Sequence, residues 1–132
     1  LRLGNFSTTL LELGIEAYSQ VLFEVTVTSI DVLSQWPPFS VELTSKGLPA
    51  LATDFEGWKA IDLQQEFTTS VREGEILVCW EELGQCEACE FEGRVRFLIK
   101  QERLIGIWFL GLSRDETKLY ASHAQNDAAR ND

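Results

Sequence analysis

The run Leu104-Ile105-Gly106-Ile107-Trp108-Phe109-Leu110-Gly111-Leu112 carries no polar side chain. It is too short to cross a bilayer, since a transmembrane helix needs about 20 apolar residues. The segment before it alternates: Phe91, Val95, Phe97 and Ile99 share one parity, and Glu92, Arg94, Arg96 and Lys100 the other. Side chains change face at every residue of a strand, so this juxtaposition predicts a half-buried strand beside one that is buried on both faces. The expected fold is therefore mainly β: an antiparallel meander of six or seven strands forming a curved sheet, a sandwich or a partly open barrel, with one or two short helices. The alternative is an α+β arrangement with a helix packed across a curved antiparallel sheet.

Earlier segments fit the same class. Val21, Phe23, Val25 and Val27 alternate with Leu22, Glu24, Thr26 and Thr28, and β-branched density favours a strand. Leu10, Leu11, Leu13 and Ile15 suit a short helix or a strand equally, and the phase slips after Ser29, which suggests a bulge or bend. Trp36-Pro37-Pro38 interrupts pairing, because neither proline can donate to a ladder. Phe39, Val41 and Leu43 restart a short strand, and 48–59 is the least strand-like interior stretch, with room for a turn or two of helix. Ile61 to Val71 reads as a further strand, and Arg72-Glu73-Gly74-Glu75 as a tight turn in which Gly74 is free to take positive φ. Ile76, Val78 and Trp80 then share a face opposite Leu77 and Cys79. Gly84 to Cys89 reads as the connection to the alternating strand. Ser113-Arg114-Asp115-Glu116 matches a capping box and predicts a short helix to about Ala121. A length of 132 residues fits one domain, here 1–125, followed by a frayed tail over 126–132.

If Gln101 and Glu102 are the centre of a hairpin turn, Ile99 opposes Leu104, Phe97 opposes Gly106 and Val95 opposes Trp108. The other face then joins Arg94, Arg96 and Leu98 to Phe109, Ile107 and Ile105. Such a half-apolar, half-arginine face requires a cover, so Arg94, Arg96, Ile105, Ile107 and Phe109 form a candidate interaction face.

The net charge is −10, from 21 acidic and 11 basic residues. It repels phosphate backbones and anionic lipid, weighing against nucleic acid and membrane as partners. The charge is uneven: seven carboxylates and no Lys or Arg lie between Glu73 and Gly93, whereas Arg94, Arg96, Lys100 and Arg103 follow within ten residues. Part of this asymmetry is expected to close as cross-strand ion pairs. The chain begins at Leu1 and has no Met, as a processed or trimmed product would. Asn5-Phe6-Ser7 matches the glycosylation sequon, a motif short enough to arise by chance.

Three cysteines, Cys79, Cys86 and Cys89, do not make a secreted disulfide framework, and a reduced cytoplasmic setting is the simpler expectation. Cys86-Glu87-Ala88-Cys89 is a C-x-x-C, but structural zinc needs four ligands, and only Cys79 and His123 could supplement it. As a redox pair it would need a helix N-terminus, whereas it is expected in a glutamate-rich hairpin loop. The three cysteines are thus weak metal candidates, and no cofactor is expected. His123, near the tail, lacks the rigid setting of a catalytic base. Glu81 and Glu82 are adjacent and on a strand would face opposite ways; Glu90 and Glu92 look solvated. Trp80 and Trp108 fall on core faces. Trp36 and Trp58 lie in breaks between strands and are candidates for a pocket rim, where an indole offers much area at low entropy cost.

Residues 71–112, with Glu73-Gly74 before Ile76-Leu77-Val78-Cys79-Trp80, then Gly93-Arg94-Val95-Arg96-Phe97 and Leu104-Ile105-Gly106-Ile107-Trp108, resemble the final strands of cone-shaped NTF2/SnoaL-type domains. The resemblance covers about a third of the chain. It implies an apolar pocket inside a curved sheet, with isomerase- or cyclase-like activity or simple ligand binding. Such domains open with long helices, whereas Val21 to Val27 alternates as a strand, and their pocket acid–base residues have no counterpart here.

Two functions follow as expectations. The first is a non-enzymatic acidic interaction protein, inhibitor- or immunity-like, acting on a protein partner or by homodimerisation. The second is a small apolar-ligand pocket protein of the NTF2/SnoaL kind.

Overall fold

The computed structural model describes residues 33–47 and 66–122 with their side chains, and the backbone of 2–3, 10–15, 22–29, 62–63 and 123–130. Among these the chain forms β1 (Arg2–Leu3), β2 (Leu10–Ile15), β3 (Leu22–Ser29), β4 (Ser40–Lys46), β5 (Asp62–Leu63), β6 (Thr68–Arg72), β7 (Glu75–Cys79), β8 (Gln85–Phe91), β9 (Val95–Lys100), β10 (Arg103–Phe109) and α1 (Arg114–Arg130). The protein is mainly β, as the alternation predicts. The ambiguous segment around Leu10 is a strand. The readings at 48–59, at Trp58 and at the phase slip past Ser29 lie outside the described residues.

One sheet has the order β3-β2-β1-β5. There β2 pairs antiparallel with β3 and β1, and β1 runs parallel to β5. The other is an open six-stranded sheet, β4-β8-β9-β10-β7-β6, antiparallel except that its edge strand β4 runs parallel to β8. β10 lies in its interior between β9 and β7, which accounts for a segment apolar on both faces: Ile105 and Ile107 are 0% exposed.

The sheet separates two apolar layers. Phe67, Ile76, Val78, Cys89, Phe97 and Ile107 pack on one side, joined by Leu33, Leu112 and Tyr120. Leu77, Cys79, Leu83, Cys86, Ala88, Leu98 and Ile105 pack on the other, joined by Trp36, Phe39, Val41 and Trp108. The phase Ile76/Val78/Trp80 against Leu77/Cys79 is as the sequence predicts. The second layer is covered by the chain itself. Residues 33–35 are clipped to the outer edge of β6, where the Ser34 amide donates to the Thr69 carbonyl at 2.7 Å. The chain then passes over Trp108 to start β4 at the opposite edge. Burying each of Leu77, Leu98, Ile105 and Ile107 contributes roughly 1.5–3 kcal/mol, whereas each exposed ion pair gives about 1 kcal/mol or less. Among the described residues, these central-strand side chains contribute more than the exposed ion pairs do.

The hairpin turn falls on Gln101 and Glu102, both at positive φ (52° and 63°), the geometry that matches strand twist in two-residue hairpins. Arg103 pairs with Lys100 and Leu104 with Ile99, as expected. The register then shifts: Gly106 opposes Leu98, Ile107 opposes Phe97, Trp108 opposes Arg96 and Phe109 opposes Val95. The expected pairings beyond Leu104 are thus displaced by one residue through a bulge at Ile105. At this point Trp80, just past β7, continues the β7–β10 register: its main-chain N–H donates to the Ile105 carbonyl, and its indole Nε1 donates to the Leu104 carbonyl, both at 3.0 Å. At Gly106 a Cβ would stand 2.9 Å from the Val78 carbonyl oxygen and 3.0 Å from the Cys79 Cβ, so β7 and β10 approach closely because that side chain is absent. Gly111, past the end of β10, supplies a turn at φ 65° with open space around it.

The expected single strand through 90–100 is a hairpin. β8 ends at Phe91, Glu92 and Gly93 turn with positive φ, and Phe91 pairs with Val95. Ser113 caps α1 as the motif predicts: its Oγ accepts from the Glu116 N–H at 3.0 Å, and Glu116 Oε1 accepts from the Ser113 N–H at 3.1 Å. The helix continues past Ala121 to Arg130. No described helix is long and apolar enough to cross a membrane.

Candidate binding cleft

At one end of the six-stranded sheet, three segments distant in sequence enclose an open cleft of about 450 Å³. Ser34, Gln35, Pro37 and Pro38 come from the segment clipped to β6; Glu66, Thr68 and Ser70 from the start of β6; and 79–84 from the β7–β8 connection. Each wall has a local cause. Ser70 Oγ donates to the Gln35 carbonyl at 3.1 Å, fixing the proline-bearing segment beside β6. Pro37 and Pro38 have no N–H to pair, so they end the edge contact, and both line the recess. Leu83, 3% exposed, anchors the β7–β8 connection in the core and holds Glu81 and Glu82 at the mouth.

The floor is polar but internally bonded. Thr68 Oγ1 lies 3.2 Å from Cys79 Sγ and donates to the Cys79 carbonyl at 3.4 Å. Burial pushes the Cys79 thiol above its ordinary pKa, partly offset by the Thr68 hydroxyl. Such a thiol is a poor nucleophile, because the thiolate is the reactive form. Acidic groups stand at the rim. Glu66 and Glu82 are exposed, and Glu81 Oε1 is held at 2.7 Å by Arg103 Nη1 from outside the cleft. No lysine or arginine is among the described lining residues.

The structure distributes the expected interaction face between both layers. Arg96 and Trp108 lie on the Leu98/Ile105 side, and Ile107 and Phe109 on the other with Val95 and Phe97. Arg94 is exposed in the β8–β9 turn. The register shift at Ile105 separates these residues. On the Trp108 side, Arg96 stacks 4.7 Å from the Trp108 ring centroid and Arg72 3.9 Å from that of Trp36. Glu75 pairs with Arg72 and accepts from Trp108 Nε1 at 3.1 Å, and Glu90 pairs with Arg96 at 3.3 Å. Trp36 therefore belongs to this stacked lattice. Its sequence neighbours, and not its ring, line the cleft.

The cysteines do not converge. The C-x-x-C lies on β8, not in a hairpin loop, and residues three apart on a strand face opposite ways. Cys86 accordingly joins Cys79 in one layer and Cys89 the other. Cys89 Sγ donates to the Gly47 carbonyl at 2.9 Å. Burial also pushes the Cys86 thiol up, with Lys100 acting in the opposite sense. No cluster of three or more His, Cys, Asp or Glu that could hold a metal occurs among the described residues. His123 is placed within α1 by its backbone alone.

Sequence reasoning singles out Glu81 and Glu82 but expects them on opposite strand faces. Placed in a connection, both reach the cleft. Glu66, Thr68, Ser70 and Leu83 carry no local signal, since their proximity depends on contacts across the sheet. Compared with protein-family models and with curated proteins, the sequence matches none.

Proposed function

We propose that the protein is a non-enzymatic binding module that receives a projecting segment of a protein partner in the cleft at the 34–38/66–70/79–84 end of its six-stranded sheet. The observation that carries this reading is the cleft itself: an open recess with proline and leucine walls and a floor whose hydroxyls already bond to main chain. Recesses of some 300–1,000 Å³ with apolar walls and a few fixed polar groups are typical ligand sites. The carboxylates stand at its rim and burial pushes the Cys79 thiol pKa up, which favours recognition over acid–base or nucleophilic work. Three free, buried thiols fit a reducing, cytoplasmic setting.

The test is a ¹⁵N–¹H titration with blocked tripeptides, acetyl-Gly-Xaa-Gly-amide, in which Xaa is arginine, lysine, norleucine or glutamate. Saturable shifts should gather on the amides of 34–35, 66–70 and 80–84. Shifts confined to β4 or α1, or no shifts with any peptide, would overturn the reading.

A further inference from the structure

We infer that the occupant of the cleft is a basic side chain, an arginine or lysine of the partner, and that Arg103 is its intramolecular competitor. This inference rests on the reading of the cleft as a binding site and adds the chemistry of the group bound.

Three observations point the same way. The mouth carries Glu66, Glu81 and Glu82, and no lysine or arginine is among the described lining residues; Arg103 holds Glu81 from outside the recess, and Lys100 Nζ donates to the Glu82 main-chain carbonyl at 3.4 Å. Behind that rim the apolar lining comes from Pro37, Pro38 and Trp80, with Leu83 buried beneath them. A long aliphatic stem ending in a cation suits such a site, because Lys and Arg bury their methylenes on apolar surface while the charged head stays with water and carboxylates. The third observation is that the protein already supplies one guanidinium to this rim. Arg103, at the end of the β9–β10 turn, reaches Glu81 at 2.7 Å with its side chain 57% exposed. An exposed pair of this kind is weak and exchangeable, so an incoming cation can take over Glu81 when Arg103 swings into solvent. A net charge of −10 further favours a basic partner over an acidic one through long-range steering.

The same tripeptide series separates this inference from the broader reading. The arginine and lysine peptides should bind more tightly than the norleucine peptide, which has a neutral stem, and the glutamate peptide should bind least. Raising salt from 20 to 200 mM should weaken the basic peptides and leave norleucine unchanged. Glu66→Gln and Glu82→Gln should each weaken the arginine peptide by about two- to fivefold, and Arg103→Gln should strengthen it by a similar factor by releasing Glu81. If norleucine binds at the cleft as well as arginine does, with no salt dependence, the cleft reading stands and the cationic occupant is wrong. Weaker or unchanged arginine-peptide binding in Arg103→Gln would remove Arg103 as a competitor. If no peptide reaches the cleft, both proposals fall. The salt series on the unmodified protein decides the charge question even if a variant folds poorly.

Discussion

Gly106→Ala tests how tightly the two innermost strands are built against each other. The added methyl would lie 2.9 Å from the Val78 carbonyl oxygen and 3.0 Å from the Cys79 Cβ. The nearer neighbour is main chain in a hydrogen-bonded strand, so relief requires β7 and β10 to separate rather than a side chain to swing aside. Overpacking of this sort costs about 1–3 kcal/mol. Against it stands the reduced entropy of the unfolded chain, worth about 0.4–1 kcal/mol for Gly→Ala where φ is compatible. Gly106 is not among the positive-φ residues, so that gain applies. The net expectation is a loss of about 1–2 kcal/mol. Urea unfolding followed by tryptophan fluorescence should show a lower midpoint with an unchanged slope. Gly93→Ala is the control: its Cβ meets nothing within 4 Å, so only its positive φ of 67° penalises it. If Gly106→Ala is as stable as the parent protein, the close approach of β7 and β10 and the register built on it are wrong.

Other consequences can be checked directly. All three thiols should resist iodoacetamide in the folded protein at pH 8 and react on unfolding; a Cys86–Cys89 disulfide in the native protein, seen by mass spectrometry, would contradict their placement on opposite faces of β8. Burial pushes the Tyr120 phenol up to about 12, with the Thr69 hydroxyl partly offsetting the shift, so its phenolate absorbance should rise well after that of a solvated tyrosine. Because the folded pKa exceeds the unfolded one, this contribution to stability is complete below pH 10 and is lost as pH rises towards 12. Ser113→Ala should cost about 1 kcal/mol through loss of the α1 cap, measured as a lower thermal midpoint. Hydrogen bonds from Ser113 lower the Glu116 pKa; its contribution is therefore present above the ordinary carboxylate pKa and fades as pH falls through the lowered value, and Glu116→Gln should blunt that acid dependence.

Much of the six-stranded sheet can be read from residues in isolation. The phase of Ile76, Val78 and Trp80, the turn at Gln101-Glu102 and the cap at Ser113 are local effects, set by alternation, twist and hydrogen-bonding groups close in sequence. The bulge at Ile105 is not, because a run apolar on both faces carries no phase from which a one-residue slip could be read. Strand β8 escapes a propensity-based reading since Gln85–Phe91 is built from Cys, Glu and Ala. Its Cys86/Ala88 alternation and the Glu92-Gly93 turn are, in retrospect, the visible signals. The parallel union of β4 with β8 depends on a crossover that no local pattern encodes. The cleft is hidden for the same reason: Pro37, Thr68 and Leu83 become neighbours only when β6 and β7 have paired and residues 33–35 have docked on the edge.

Thr68 lines the cleft yet is exposed on its strand, so Thr68→Trp fills the recess without entering the core. Thr44→Trp, on the exposed edge strand β4, is the matched control. In the arginine-tripeptide titration, shifts at 66–70 and 80–84 should vanish in Thr68→Trp and persist in Thr44→Trp, with both proteins folded. Undiminished binding by Thr68→Trp would contradict the assignment of this recess as the place where the protein meets its partner.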